Sequence, residues 1–507
     1  MQRIAIIDIG SNSARLVIIN IYGNKAYNMI FNQKEALRLS QKIDVFGNFT
    51  KEAFQETLDT MHSFAYMCKL YQAERIVAVA TAAIRTARNG GELVDLIIKE
   101  TGINLHMIPG TTEAHISYLG VINTIDVKDG LIFDLGGGST ELILFRDRKV
   151  VNSVSLPFGA VNMTSMFNTK DTLLPGVAGD FNFFVASQLA KYPWIKDSKL
   201  PLIGVGGTAR TAGKMIQRAK HYPLSKIHNY SFSAQNFRLI YKKLLGTSYV
   251  QRKKIPGLSA DRADIILAGT SIINCLFEGT GSKKMIVSGC GLRDGLFYDY
   301  YSKAEHTEII AQDILKASTL NILNLYANDV VHSQHVADLS MSMFDGWEKI
   351  HGLPKNNRRL LETAALLHDI GITINYYSHA RHSAYMILNA KLFGLTHKEQ
   401  MIVAAIAGWH NGIAKGYFKE ASFKDMLTEK EWDNINKCAL ILALAEGLDY
   451  SETRRICNIE ASSAKSKANL KLYSHGPAGV EQHQIELLAP WFTKTMGVPL
   501  SAELKID

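Results

Sequence analysis

The sequence predicts an α/β protein: two α/β domains around a cleft, then an all-α domain, then a small α/β domain at the C-terminus. Three observations predict it. A strand–turn–strand unit, "IAIIDIGSNSARLVIINIYGNKAYNMI" (Ile4 to Ile30), returns as "LIFDLGGGSTELILFRDRKVVNSV" from Leu131. The overlay sets Asp8 on Asp134, Gly10 on Gly136, Ser13 on Ser139 and Arg15 on Glu141, and a repeat of this length implies a duplicated fold. From about Glu305 the glycine turns stop and long amphipathic helical patterns begin, carrying most of the 16 histidines. The last stretch returns to strand-like text, "ANLKLYS" and "LSAELKI", around one helix. The domains that follow are 1–125, 126–303, 304–455 and 456–507.

Residues 4–31 read as three strands joined by polar turns at "GSNS" and "YGNK". Thr50 is placed to cap a helix over "KEAFQETLDTMHSFAYMCKLY", whose apolar residues recur at helical spacing. "RIVAVAT" is a buried strand, followed by a helix, and "INLHMIPGTTEAHISYLGV" is a short strand running through a loop into another helix. The second copy begins near residue 130; "LPLIGVGGTARTAG" and "KKMIVSGCGLRDGLF" each read as strand, glycine turn and helix start.

Composition bounds the class. At 507 residues the chain exceeds the ~250–300 residues that one core usually supports. An apolar fraction of 47% with 20% charged residues is that of a globular chain, and no run is long and apolar enough for a membrane helix. "MQRIAIIDIG" enters a strand directly, without a signal-peptide pattern. The five scattered cysteines form no CxxC and read as reduced thiols of a cytoplasmic protein. A net charge of +9 suits an anionic substrate as well as it suits dispersed solvated lysines. The stretches "QRKK" (Gln251 to Lys254) and "KSKANLK" (Lys465 to Lys471) favour a polyanion, with no membrane or nucleic acid expected.

The stretch "FDLGGGSTELILF" (Phe133 to Phe145) sets three successive glycines between two apolar runs. Glycines are costly to order, but they let backbone N–H groups approach and surround an oxyanion. A carboxylate beside a phosphate cradle is repulsive unless a hard cation lies between them, and Mg²⁺ prefers that mixture of oxygens. A hairpin alone would need only a two-residue turn. Two copies therefore put two phosphate-gripping turns face to face, with Asp8 and Asp134 as mirrored Mg²⁺ holders. Ser11, Asn12, Ser13, Gly136, Gly137, Gly138, Gly206 and Gly207 would supply donors, and Arg15 and Arg85 would neutralise charge.

The set "IDIGSNSARLVI", "ATAAIRTARN", "GTTEAHISYLGV", "FDLGGGSTEL", "SLPFGAV", "GVGGTAR" and "SGCGLRDGLFYD" resembles the exopolyphosphatase / guanosine pentaphosphate phosphatase (Ppx/GppA) family, in family order over roughly residues 1–303. The resemblance implies two actin-like (ribonuclease H-like) domains and a phosphoanhydride hydrolase. Its substrates would be inorganic polyphosphate, cut at the terminal orthophosphate, and pppGpp, cut at the 5′-γ-phosphate. It further implies Mg²⁺ as cofactor, a homodimer, and phosphate binding by Gly10, Ser11, Asn12, Ser13, Arg15, Arg85, Gly136, Gly137, Gly138, Ser139, Gly206, Gly207 and Thr208. The catalytic base it implies is Glu113, the acid next to Ala in "GTTEAH"; Thr112 replaces the first of two glutamates usual there. Glu141 is the alternative base or a second water-positioning carboxylate. A non-catalytic (p)ppGpp- or polyphosphate-binding regulator and an ATP-dependent sugar-kinase-like transferase are the competing readings on the same fold.

The helical region has its own constellation: "VHSQHVADL" (His332), "LLHDIG" (His368, Asp369), "SHARHSAY" (His379, His382), "GWH" (His410) and "LALAEGLDYSE". It resembles an HD metal-hydrolase domain, with His332, His368, Asp369, His410 and Glu446 at the ligand positions. Glu446 stands where the pattern has Asp, with Asp449 downstream. The expectation is a domain that binds polyphosphate or a partner, with no hydrolysis of its own.

Overall fold

The chain forms two compact units, Met1–Gln312 and Asp313–Asp507. The structure, a computed structural model, describes residues 1–172, 175–410, 424–464 and 467–506. Lys465, at the start of the expected basic stretch, lies outside the described residues. Among the described residues no helix is long and apolar enough to cross a membrane.

In the first unit, strand β1 (Gln2–Ile9) is apolar on both faces, with Ile4, Ala5, Ile6 and Ile7 wholly buried. Such a strand must be covered on both sides. It pairs antiparallel with β2 (Ala14–Ile21), which pairs antiparallel with β3 (Tyr27–Glu35). Helix α1 (Lys51–Leu70) begins where the Thr50 hydroxyl accepts from the N–H of Ala53, 3.2 Å away, as a capping threonine does. Strand β4 (Arg75–Ala80) returns parallel to β1, and short helices α2 (Ala82–Thr86) and α3 (Gly90–Thr101) lead to β5 (Leu105–Met107). The sheet order is β3-β2-β1-β4-β5. Helix α4 (Gly110–Ile122) then carries the chain to the second sheet.

There the pattern repeats. Strands β6 (Gly130–Leu135), β7 (Thr140–Arg146) and β8 (Lys149–Leu156) form an antiparallel meander, followed by helices α5 (Ala160–Met166) and α6 (Pro175–Ala190). Strand β9 (Leu202–Val205) runs parallel to β6. Helix α7 (Gly206–Ala219), strand β10 (Tyr230–Ser233), helices α8 (Ala234–Leu245), α9 (Tyr249–Arg252) and α10 (Ile266–Thr280), strand β11 (Lys284–Val287) and helix α11 (Leu292–Glu305) complete the unit. The order β8-β7-β6-β9-β11, with β10 added at the edge, matches the first sheet strand for strand. This is the duplicated actin-like architecture. Even the register agrees: Asp8 pairs with Arg15 and Asp134 with Glu141. The turns agree too, Gly10 N–H donating to Ser13 at 3.1 Å and Gly136 N–H to Ser139 at 3.0 Å.

The two long helices that follow the sheets change sides. Residues Ala114, Tyr118 and Leu119 of α4 pack on Ile132, Ile143 and Ile203 of the second sheet, whereas Leu296 and Phe297 of α11 pack on Ile4, Ile6 and Val17 of the first. Where α4 and α11 meet, Gly120 and Gly295 let backbone touch backbone. A Cβ on Gly295 would lie 1.8 Å from the Ile116 carbonyl oxygen, and one on Gly120 would lie 2.2 Å from that of Gly291. Only glycine fits.

The second unit is helical first. Helices α12 (Ile314–Tyr326), α13 (Val330–Gly346), α14 (Glu348–His351), α15 (Asn356–Leu367), α16 (His379–Asn389), α17 (His397–Trp409) and α18 (Glu429–Leu448) precede β12 (Ile456–Ser463), β13 (Ala468–Ser474), α19 (Gly479–Met496) and β14 (Leu500–Ile506). Strand β13 is central, antiparallel to β12 and parallel to β14. The helices and this sheet share one apolar core, in which Trp347 meets Phe492 with ring centroids 5.1 Å apart and Ile441, Leu470 and Leu472 are wholly buried or nearly so.

Substituting Gly295→Ala tests the helix crossing. Overpacking a backbone contact costs about 1–3 kcal/mol, so the melting temperature of the first unit should fall by several degrees. An unchanged melting temperature would show that α4 and α11 separate freely.

Candidate active site

The duplicated turns bring their residues to one cavity of about 150 Å³ in the first unit. Asp8 at the end of β1 and Asp134 at the end of β6 reach its wall, with Gly10, Ser11, Asn12, Ser13 and Arg15 from the first copy and Gly136, Gly137 and Ser139 from the second. Gly206, Gly207 and Thr208 at the start of α7, and Glu113 in the first turn of α4, complete the sequence-expected lining. The two turns approach closely: a Cβ on Gly137 would lie 2.9 Å from the Ser11 Cβ, and one on Gly138 would lie 2.9 Å from the Ser11 hydroxyl. Successive glycines are needed because the loops face one another across the cleft.

Three expected residues stand behind the wall and do not line it. Gly138 supports the turn. Glu141, 1% exposed, accepts from the Ser155 hydroxyl at 2.8 Å. Arg85 donates through Nη1 to the Ile108 carbonyl at 2.7 Å and to Glu113 Oε2 at 3.1 Å. Its guanidinium orients the Glu113 carboxylate from behind. Thr112 is exposed, whereas Glu113 beside it is buried.

Sequence reasoning missed several members. Arg210 and Arg262 line the cavity, as do Thr81 and Leu292, and Arg293 acts on Asp8. Ser117, one turn beyond Glu113 on α4, donates to Asp134 Oδ2 at 2.7 Å. Arg210 was legible: it ends the quoted "GVGGTAR", three residues after Gly207 on one face of α7. Arg262 has no such local signal; it comes from a short 3₁₀ turn, Ala260–Arg262, and its guanidinium fills the space a side chain on Gly207 would take. The basic stretch Gln251 to Lys254 is only partly a surface feature. Arg252 is wholly buried and donates to the carbonyls of Ala263 and Asp171.

The electrostatics are those of carboxylates crowded out of water. Burial raises Asp8 to about 6, against the pull of Arg293 and Arg15, and Asp134 pushes the same way as burial. Asp134 is itself raised by burial, with the Ser117 hydrogen bond opposing. Glu141 is raised to about 7 by burial and by Asp134. Glu113 is raised well above the usual carboxylate range, first by burial and then by Glu141, against Arg85. On the other side, burial lowers Arg15 to about 10 and also lowers Arg210 and Arg262. Two buried carboxylates, both pushed toward protonation by burial and lying next to buried guanidiniums, form a donor set that a hard divalent cation and an oxyanion would relieve together. Asp8 and Asp134 fit such a cation.

The second unit gathers the other expected residues in its helices. His332, His368, Asp369 and Glu446 converge, and Asp369, His379 and His410 form an overlapping group. His382 belongs to neither, and Asp449 is hydrogen-bonded to His332 at 2.8 Å.

Comparison with known proteins matches both units of the chain. The Ppx/GppA phosphatase family model matches residues 16–304, and the model of Ppx/GppA phosphatase domain III matches 314–488. The guanosine-5′-triphosphate,3′-diphosphate pyrophosphatase of Pseudoalteromonas translucida is 27% identical over 84% of each chain. That of Vibrio vulnificus is 29% identical over 80% of this chain and 79% of its own. The crystal structure of the Aquifex aeolicus family member, 28% identical with a TM-score of 0.54, is covered over 99% of its length by 60% of this chain. An exopolyphosphatase from Cytophaga hutchinsonii, 24% identical with a TM-score of 0.54 over 61% of this chain and all of its own, shares the fold.

The pair Glu113 and Glu141 predicts a pH effect. If Glu113 is the base that the sequence implies, it must be ionised to act, and activity should rise with pH through a limb set above the ordinary glutamate value. Glu141→Gln removes the like charge that raises Glu113, so the limb should move to lower pH. A limb that does not move would uncouple the two carboxylates.

Proposed function

The chain belongs to the Ppx/GppA phosphatase family, and we propose that it is an exopolyphosphatase that releases terminal orthophosphate from inorganic polyphosphate and hydrolyses the 5′-γ-phosphate of pppGpp. The observation that carries this reading is the duplicated Asp–Gly turn, which puts Asp8 and Asp134 on one small cavity with guanidiniums and a buried glutamate. The reaction needs charge neutralisation on the phosphoryl group, a positioned water and a base.

Each need has a candidate in the chain. Asp8 and Asp134 would hold Mg²⁺, which when bound supplies neutralising charge to the phosphoryl oxygens. Glu113 takes the proton of the attacking water, and Arg85 holds that carboxylate in one orientation. Arg15, Arg210 and Arg262 face the remaining negative charge. The Ser11–Ser13, Gly136–Ser139 and Gly206–Thr208 turns donate backbone and hydroxyl hydrogens to the phosphate chain. The guanidiniums and turn donors that line the cavity suit the charged end of a polyanion. All five cysteines are free thiols, in keeping with the cytoplasmic compartment proposed for it.

Three measurements check this reading. Glu113→Gln should lower kcat about 10²–10⁴-fold, the usual weight of a general base, with substrate Kd nearly unchanged; near-normal kcat would hand the role to Glu141. Asp8→Ala and Asp134→Ala should each raise the Mg²⁺ concentration needed for half-maximal orthophosphate release. An unmoved Mg²⁺ titration in both would place the metal elsewhere.

The third concerns the second unit, for which we propose a role in holding long substrates. A chain ending at Gln312 should cleave pppGpp and short polyphosphate and lose affinity for long polyphosphate. That lost affinity should be the steeply salt-dependent part, by analogy with nucleic-acid polyanions. Equal processivity of the truncated and full chains on long polyphosphate would refute that division of labour.

A further inference from the structure

We infer that Asp261 and Asp264 are positioning residues of the cleft: with Lys34 and Arg38 they form an ionic clasp that holds the two halves of the first unit closed and keeps Arg262 in the cavity. The effect of the clasp on substrate rests on the phosphate-binding reading of the cleft. The clasp itself rests on the ion pairs, on what anchors each side of them, and on where Arg262 lies.

The segment that carries these aspartates belongs to the second half alone. The first copy passes from β4 to β5 through α2 and α3, whereas the second inserts α8, α9 and the 3₁₀ turn Ala260–Arg262 between β9 and β11. Hydrogen bonds from the N–H of Arg262 to Ser259, of Ala263 to Ala260 and of Ile265 to Arg262 run through this turn. Residues three apart in such a turn lie one above the other, so Asp261 and Asp264 share a face and Arg262 takes another. That shared face meets the first half. Lys34, on the edge strand β3, reaches Asp261 Oδ2 at 3.3 Å. Arg38 reaches Asp264 Oδ2 through Nη1 at 3.4 Å and the Asp261 carbonyl through Nη2 at 3.5 Å.

Both sides of the clasp are anchored to the site. The Arg38 N–H donates to the Asn12 carbonyl at 3.0 Å and the Ser40 N–H to the Ser11 carbonyl at 3.1 Å, which ties the cations to the first phosphate turn. On the opposite side the wholly buried Arg252 donates to the Ala263 carbonyl at 3.1 Å and pins the aspartate turn to the second half. Arg262, between the two aspartates, lines the cavity with its guanidinium against Gly207. Burial disfavours its charge, and Asp261 and Asp264 favour it. The ion pairs at the mouth and the guanidinium inside therefore move as one piece.

The clasp is built to open. The Lys34, Asp261 and Arg38 side chains are 34%, 49% and 40% exposed, and exposed ion pairs are individually weak and screened by salt. A substrate that binds only the closed form loses apparent affinity in proportion to the open fraction and recovers the full rate at saturation. Charge alone predicts the opposite sign, because removing two carboxylates beside an anion site should tighten an anion. The sign of the change separates the two.

The test uses the full chain at low ionic strength with tripolyphosphate as substrate. Asp261→Asn with Asp264→Asn should raise KM by about fivefold or more and leave kcat within about twofold. Lys34→Asp should do the same, and adding Asp261→Lys to it should return KM toward wild type. A KM that falls or stays constant in the double Asn variant overturns the clasp. So does a charge-swapped pair as impaired as Lys34→Asp, which would make Lys34 a direct substrate contact. A readout without substrate keeps the clasp separate from the proposed activity. Nitroxides at Tyr66→Cys on α1 and Leu239→Cys on α8, both exposed, report the distance between the halves by double electron–electron resonance, with the half-buried Cys457 changed to Ser and the other four thiols buried. That distance should lengthen or broaden in the double Asn variant and in Lys34→Asp, and recover in the swapped pair. Identical distances in all of these chains overturn the clasp whether or not the protein cleaves polyphosphate. Responsive distances without any cleavage would uphold the clasp and refute the activity.

Discussion

The first unit is organised around carboxylates that repel one another in a place nearly without water. Asp8, Asp134, Glu113 and Glu141 come from both copies of the duplicated sheet and from α4, and burial raises every one of them. Such a group of charges persists only if the surrounding structure answers it. Ser117 does so for Asp134, Ser155 for Glu141 and Arg85 for Glu113. The cavity guanidiniums do so collectively, at the cost of their own desolvation. The unmet remainder is what the proposed hard cation and densely charged anion would answer together.

The same constraint explains the architecture. Neither sheet alone can assemble the site, because each contributes one turn and one aspartate. The swapped helices solve this. Helix α4 belongs to the first half in sequence but packs on the second sheet, and α11 does the reverse. Their glycine contact holds the halves at the distance where Ser11 meets Gly137 and Gly138. Because Glu113 and Ser117 ride on one face of α4, the proposed base and the support for Asp134 move as one body.

Much of this was readable from residue order alone. The repeat of apolar run, Asp, Gly, polar turn and apolar run specifies a hairpin, so the overlay of Arg15 on Glu141 already contained the registers Asp8 to Arg15 and Asp134 to Glu141. What it could not contain were contacts made by residues with no partner in the pattern. Arg262 reaches the cavity from a 3₁₀ turn far from either repeat, and Arg293 reaches Asp8 from the start of α11. The orientation of Arg85 toward Glu113 was hidden for a related reason: a guanidinium near a phosphate site reads as a phosphate ligand until its geometry is known. In the second unit, spacing flagged His379 and His382 equally, three residues apart on one helix. The structure distinguishes them: the Tyr376 carbonyl fixes the ring of His379, whose Nε2 lies 3.2 Å from Asp369 Oδ1.

The account holds that Glu113 directs a water onto the terminal phosphorus. Hydrolysis of polyphosphate in ¹⁸O-labelled water tests this most directly, with mass analysis of both products. One labelled oxygen should appear in each orthophosphate released, and none in the shortened chain. Label in the shortened chain, with unlabelled orthophosphate, would place the attack on the penultimate phosphorus and contradict the account.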